Sequence, residues 1–174
     1  KKVKLVYVFT CAPEATYIEQ ALMAVFSARY WNPDAHIVLL TDDKTSSILH
    51  AGGPRGEILR YISEEKVTNF DDEKSMLYRS RWIKTKAREL VDGDMLFVDC
   101  DTICQCPLFE IDQCPSEIAM VPDEHMRVAE YPQRLKDYMA GNAKRLGYDV
   151  LAEEWYFNSG VIYAKDSDNA HALW

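Results

Sequence analysis

The stretch that decides the fold of this chain lies near its middle and reads Met95-Leu96-Phe97-Val98-Asp99-Cys100-Asp101. Four consecutive apolar residues are typical of a strand that is buried on both faces of a sheet. Two aspartates follow this run, with one residue between them. In open α/β sheets, ligands bind beyond the carboxyl ends of the strands. The stretch therefore predicts a central strand that presents two carboxylates at the ligand-binding edge.

The rest of the chain alternates between strand-like and helix-like patterns. Apolar runs predict strands at residues 3–10, 36–41, 58–62, 95–98, 118–121 and 157–164. Apolar spacings of three and four predict helices at 14–31, 73–91 and 132–146, and another that begins near Ser167. This alternation favours an α/β fold. We expect a mostly parallel, Rossmann-like sheet with helices on both faces, in a single domain that spans residues 1–174.

Composition narrows the class of protein. The chain has 174 residues, 48% of them apolar, which is enough for one sizeable core. Its net charge of −8 argues against nucleic acid as a partner, because phosphate binding needs a surplus of basic residues. No apolar run approaches the length of a transmembrane segment, and the first ten residues are too short for a secretory signal. An odd count of five cysteines favours reduced thiols and a cytoplasmic location.

The Asp-x-Asp spacing occurs three times, at residues 92/94, 99/101 and 166/168. The first copy flanks a glycine and is typical of a turn, and the third is typical of a helix cap. Only Asp99 follows an apolar strand. If the chain stays extended, Asp99 and Asp101 point to the same side and can share one hard cation, Mn²⁺ or Mg²⁺. Such an ion can stabilise a leaving diphosphate as a Lewis acid. The alternative is a pair of loop carboxylates that caps a turn.

The helix predicted at 73–91 carries a lysine in an unusual position. Leu77, Ser80, Lys84, Ala87 and Val91 recur at spacings of three and four, which predicts that all five lie on the inward face. An inward ammonium needs an anion or a path to water. Lys84 is therefore our first candidate for a group that binds an anionic ligand, and Arg81 is the second.

Two segments resemble motifs of the GT-A fold glycosyltransferases. Residues 95–102 resemble the DxD motif of that family. The segment Phe157-Asn158-Ser159-Gly160-Val161-Ile162-Tyr163 resembles the N-[SA]-G-[VI] segment of the branch that includes glycogenin and bacterial lipopolysaccharide galactosyltransferases. The two motifs occur in the family's order, and a basic helix precedes the first. The resemblance implies a GT-A sheet and transfer of a sugar from a UDP-sugar to an unknown acceptor, with a metal ion and with retention of configuration.

The resemblance also implies roles for particular residues. Asp99 and Asp101 would be the metal and ribose–diphosphate ligands, with Cys100 between them. The other donor-binding candidates fall into groups at the sugar, the nucleoside and the phosphates: Asn158, Ser159 and Gly160; Thr10, Cys11, Ala12, Tyr17 and Asp42; Arg81 and Lys84. The family has a third metal ligand, usually a histidine, much later in the chain. None of the four histidines matches it, so we expect this chain to lack the C-terminal part of the family fold.

Two other functions fit parts of the pattern. A phosphohydrolase of the haloacid dehalogenase type also ends a strand in Asp-x-Asp, although there the motif lies near the start of the chain. A non-catalytic sugar-nucleotide-binding domain is the other alternative. A Rossmann dehydrogenase does not fit, because no G-x-G-x-x-G follows the first strand. Near the second motif, Trp155 and Tyr156 are expected in the core, and residues 123–125 are expected in a solvated loop.

Overall fold

The computed structural model describes residues 2–12, 15–145, 147 and 155–174, without the side chains of residues 125 and 126. The strands found there are β1 (Lys4–Phe9), β2 (Ile37–Asp42), β3 (Glu64–Thr68), β4 (Met95–Val98), β5 (Ile118–Arg127) and β6 (Trp155–Ala164). The α-helices are α1 (Tyr17–Trp31), α2 (Asp43–His50), α3 (Met76–Leu90), α4 (Gln133–Arg145) and α5 (Asp168–Leu173).

The strands form one sheet in the order β3-β2-β1-β4-β6-β5. The pairs β1–β2, β1–β4 and β2–β3 are all parallel. Leu5 of β1 lies opposite Ile37 of β2 on one side and opposite Leu96 of β4 on the other. Every residue of β4 is buried, as expected for a continuous apolar run in the middle of a parallel sheet. The predicted α/β class and mostly parallel sheet are confirmed.

The direction of the crossovers distributes the helices over both faces of the sheet. The connections through α1 and α2 lead from β1 to β2 and from β2 to β3, towards one edge. The connection through α3 leads back from β3 to β4. Because parallel crossovers are right-handed, the return connection lies on the opposite face. On that face, Ile83 and Ala87 of α3 pack against Val6, Val38 and Met95 of the sheet in one buried cluster.

The described residues group into two compact units, one of residues up to Ala119 with Ile162–Trp174 and one of residues Met120–Val161. The first unit holds β1–β4 and α1–α3. The second has its own small cluster of Val128, Tyr131 and Met139. None of the described helices combines the length and the apolar character that a membrane span requires.

The third strand does not lie where the sequence predicted it. Pro54–Arg60 forms a 3-10 helix that buries Ile58, and β3 follows at Glu64–Thr68. Its polar side chains form hydrogen bonds with neighbouring histidines: Glu64 lies 3.1 Å from His36 and Glu65 lies 2.7 Å from His50. An edge strand with partners of this kind lacks the apolar run that marks a central strand.

The second unit differs from expectation in two ways. Strand β5 continues to Arg127, so residues 123–125 belong to a strand and not to a solvated loop. Trp155 and Tyr156 are 40% and 43% exposed and therefore are not core residues. Each ring contacts a neighbouring side chain: the Arg127 guanidinium lies 5.2 Å from the Trp155 ring, and the Tyr131 and Tyr156 ring centroids are 5.9 Å apart.

Candidate functional site

The candidate site lies where the strand order reverses. Strand β1 has β2 on one side and β4 on the other, so the crossovers on its two sides run in opposite directions and open a crevice at the carboxyl ends of β1 and β4. A cavity of about 220 Å³ occupies this place. Its walls come from β1, α1, α3 and the segment after β4, and its lining residues are Val8, Phe9, Thr10, Tyr17, Gln20, Ser80, Asp99, Cys100 and Asp101.

The cavity brings together five of the residues singled out from the sequence, which are Thr10, Tyr17, Asp99, Cys100 and Asp101. It adds two polar residues that the sequence analysis did not nominate as ligands. Gln20 lies one helical turn after Tyr17, and Ser80 lies one turn before Lys84. Both could have been predicted from their helical spacing of three or four residues from Tyr17 and Lys84, which were already candidates.

The segment after β4 turns and does not stay extended. The Thr102 hydroxyl donates a hydrogen bond of 2.8 Å to the carbonyl oxygen of Asp99, and the chain forms a turn at residues 100 and 101. The simple alternation argument for Asp99 and Asp101 is therefore wrong. Both aspartates nevertheless border the same cavity, because the turn begins directly at the end of the strand.

Lys84 pairs with Asp99. Its ammonium lies 2.9 Å from Asp99 Oδ1 and 3.2 Å from Oδ2, so one cation contacts both oxygens of the carboxylate. The same ammonium lies 4.8 Å from the ring centroid of Phe97, which is fully buried. The side chains of Lys84 and Asp99 are 30% and 37% exposed. Of the two outcomes expected for this lysine, an anion partner and access to water, the structure shows both.

The predicted inward face of α3 is only partly confirmed: Ala87 and Val91 are buried, and Ser80 and Lys84 are half-buried. The residues that it buries are Arg79, Ile83, Ala87 and Arg88, whereas Leu77 is 58% exposed. Two arginines turn inward because their guanidinium groups find oxygen acceptors in the interior. Arg88 donates to the carbonyl of Gly93 at 2.8 Å and to that of Ala164 at 3.3 Å. Lys84 therefore lies at the margin of the buried face, and Arg81 is exposed.

Asp42 and Cys11 hold the loops beside the cavity without lining it. Asp42 is fully buried, and its carboxylate accepts hydrogen bonds from the backbone amide of Thr45 at 2.7 Å and from Arg79. The backbone amide of Cys11 donates to the Thr45 hydroxyl at 2.9 Å. Ala12 follows Cys11 and is exposed. Contacts of Asp42, Cys11 and Ala12 with a nucleoside stay predictions.

The thiol of Cys100 lies between the two aspartates of the site. Burial, with the neighbouring charges of Asp99 and Asp101, raises the pKa of this thiol to about 12. The thiol donates to the carbonyl of Val8 at 3.4 Å. Cys100 therefore acts as a neutral spacer that ties the segment after β4 to β1.

The residues Asn158, Ser159 and Gly160 of the second motif lie in the other compact unit. Within that unit the amide of Asn158 donates to Asp123 Oδ1 at 3.2 Å, and its side-chain oxygen accepts from the backbone of Gly160 at 2.7 Å. Asn158, Ser159 and Gly160 all lie in β6. Their role in holding the donor sugar stays a prediction. Asp123, which we expected in a loop, is the partner that orients Asn158.

The two aspartates of the first unit offer oxygen ligands that suit a hard cation. Mg²⁺ typically binds through one or two carboxylates, with phosphate oxygens of the substrate and water completing its shell. Asp99 and Asp101 fit this arrangement, because both carboxylates border one cavity and the pKa of the Cys100 thiol between them is raised. Among the described side chains, no group of three His, Cys, Asp or Glu residues comes together that could hold an ion by itself.

The strand order, the crevice and the aspartates after β4 define a class of fold: the chain has the GT-A fold of the glycosyltransferases. The galactosyltransferase LgtC, solved with donor and acceptor sugar analogues, superposes with a TM-score of 0.60 at 14% identity, over 97% of this chain and 60% of LgtC. An active-site mutant of LgtC gives a TM-score of 0.60 at 13% identity, over 97% of this chain and 59% of that one.

A third similar structure is the glycosyltransferase GlyE of Streptococcus pneumoniae, with a TM-score of 0.53, 15% identity, and coverage of 99% of this chain and 36% of GlyE. This chain thus spans about three fifths of the length of LgtC. No protein-family model and no curated protein matches the sequence.

Proposed function

We propose that this chain is the nucleotide-sugar-binding part of a metal-dependent glycosyltransferase that uses a UDP-sugar as donor. The observation that carries the proposal is the cavity at the switch point of a GT-A sheet, bordered by both aspartates of the predicted DxD motif. The similarity to LgtC, a galactosyltransferase solved with donor and acceptor sugar analogues, supports the same class of substrate. The acceptor is a second substrate of unassigned structure, and retention of configuration follows the family branch.

Different residues in and beside the cavity are proposed to bind different parts of the donor. Asp99 and Asp101 would hold Mn²⁺ or Mg²⁺, which when bound neutralises charge on the departing diphosphate. Thr10, Tyr17 and Gln20 line the side formed by β1 and α1, where the nucleoside would bind. Ser80 lines the side formed by α3, and Lys84 on the same helix supplies a positive charge next to Asp99. For Asn158, Ser159 and Gly160, which do not line this cavity, binding of the donor sugar is proposed from the family resemblance alone.

We also propose that the protein works in the cytoplasm. All five cysteines are free thiols, which is usual in a reducing compartment.

The test is thermal unfolding with UDP, GDP, ADP or CDP, each with and without Mn²⁺. A ligand at a hundredfold excess over its dissociation constant stabilises the folded state by about 2.7 kcal/mol. We expect stabilisation by UDP that needs Mn²⁺ and is lost in Asp101→Ala. Asp72→Ala is the matched control, because it removes the same charge from a side chain that is 95% exposed.

Two results would contradict the proposal. One is stabilisation by UDP that is the same with and without Mn²⁺ and in Asp101→Ala. The other is hydrolysis of phosphate esters without any preference for a nucleotide, which would favour the phosphohydrolase alternative. A third result, full stabilisation by UDP and Mn²⁺ together with no transfer of sugar to simple acceptors, would favour a non-catalytic sugar-nucleotide-binding domain.

A further inference from the structure

Asp99, one of the two proposed metal ligands, already contacts a cation of the protein itself. The Lys84 ammonium lies within hydrogen-bonding distance of both oxygens of the carboxylate, at 2.9 and 3.2 Å. A divalent ion that binds the same two oxygens comes within a few ångströms of this ammonium, and the two positive charges repel each other. The lysine and the metal ion therefore compete for this carboxylate.

Two features favour the ammonium in this position, one contact and partial burial. The ring of Phe97 lies 4.8 Å below it, and Phe97 is fully buried and belongs to β4, which leads directly into Asp99. The pair is also only about one-third exposed, so water screens it less than it screens a surface pair. The pair is thus more persistent than a mobile surface contact between two long side chains.

The balance of charges around the cavity indicates which ligand relieves the competition between Lys84 and the metal ion. Asp99 and Asp101 carry two negative charges, and Lys84 returns one positive charge. A divalent cation added to this group leaves an excess of positive charge, because Lys84 then has no carboxylate of its own. A nucleoside diphosphate supplies the missing negative charge, for the metal and for the released ammonium together.

We propose that Lys84 is the resident counter-ion of Asp99 and has to release this carboxylate before a divalent cation binds there. The cation then binds weakly alone and tightly together with a nucleoside diphosphate. The lysine makes the two ligands cooperative, and it disfavours a metal-loaded site that lacks a donor. This inference rests on the proposed function, because it assumes that Asp99 and Asp101 are the metal ligands.

The test measures Mn²⁺ binding by electron paramagnetic resonance of the free ion, with and without UDP. Lys84→Met removes the competitor, and we expect Mn²⁺ alone to bind about three- to tenfold more tightly than to the wild-type protein. The gain in Mn²⁺ affinity on adding UDP should shrink by at least the same factor. Lys84→Arg keeps the positive charge and should behave like the wild type.

Lys86→Met is the matched control on the same helix. Lys86 pairs with Glu89 at 2.6 Å and is 40% exposed, so its removal changes the net charge equally but leaves Asp99 untouched. Unchanged Mn²⁺ affinity in Lys84→Met overturns the inference, and so does an equal rise in Lys86→Met, which would reveal a general charge effect. If either result is found while UDP still stabilises the protein in an Mn²⁺-dependent way, only the inference about Lys84 is overturned, and the proposed function is unaffected. Absence of Mn²⁺ binding in the wild type and in Lys84→Met, even with UDP, overturns both.

Discussion

Arg79 of α3 forms a buried ion pair with Asp42 at the carboxyl end of β2, with side chains that are 7% and 0% exposed. The same guanidinium donates to the carbonyl of Lys74 at 2.5 Å. Asp42 also caps α2 through the amide of Thr45. One carboxylate therefore joins a strand end to two helices, and one of these helices carries both Ser80 and Lys84.

Arg79→Met should lower the free energy of unfolding by roughly 3–5 kcal/mol, because it leaves the Asp42 carboxylate buried without its counter-charge. Urea unfolding measures this loss. Arg60→Met is the control, since Arg60 is 72% exposed in its pair with Glu57 and its removal should cost less than about 1 kcal/mol. Equal losses in the two variants would contradict a special role for the buried pair.

In Ser80→Leu, at least ten times more UDP should be needed for the same stabilisation in the presence of Mn²⁺. The larger side chain projects into a cavity of only about 220 Å³ and takes up space that the ligand needs. Ser80→Ala should change the stabilisation little. Thr85→Leu on the exposed side of the same helix controls for helix propensity. Thermal unfolding at graded UDP concentrations makes the comparison. Full UDP binding in Ser80→Leu would place the ligand elsewhere.

The thiols should differ sharply in reactivity. Alkylating reagents attack the thiolate, and burial raises the pKa of both Cys11 and Cys100, the latter to about 12. Iodoacetamide at mildly alkaline pH should therefore label the exposed Cys106 first, and should label Cys11 and Cys100 only after unfolding. Peptide mass spectrometry reads out each site. Labelling of Cys100 in the folded protein as fast as Cys106 would show that the segment after β4 opens.

Glu64 should stabilise the folded state in a pH-dependent way. A hydrogen bond from His36 lowers the pKa of Glu64, with burial opposing it and Lys66 adding to the decrease. A carboxyl whose pKa is lower in the folded protein stabilises it above its unfolded pKa of about 4.3, and this contribution is lost as the pH falls through the folded value.

The change that checks this is Glu64→Gln. It should be less stable than the wild type by no more than about 1 kcal/mol near neutral pH, since the side chain is 35% exposed, and the difference should fade in acid. Urea unfolding at several pH values measures it. In a His36→Ala background the Glu64→Gln effect should become smaller. A difference that grows as the pH falls would contradict the assignment.

Local pattern was sufficient for the central sheet. The predicted strand at residues 95–98 coincides with β4, because a parallel strand buried on both faces has to be apolar at every position. The same logic placed Asp99 and Asp101 at a strand end. Strand β3 was misplaced because it lies at an edge and its glutamates form hydrogen bonds with histidines, so its sequence carries no apolar run.

The sequence by itself determined the α/β class, the central strands and the aspartates that follow β4, since these depend on burial that repeats along the chain. Only the tertiary structure decided which charges meet. It turned Arg79 inward towards Asp42, and it set the Lys84 ammonium on Asp99, 15 residues away. The physical reason is that an ion pair depends on where two helices and two strand ends come together in space, and no spacing within one element encodes that distance.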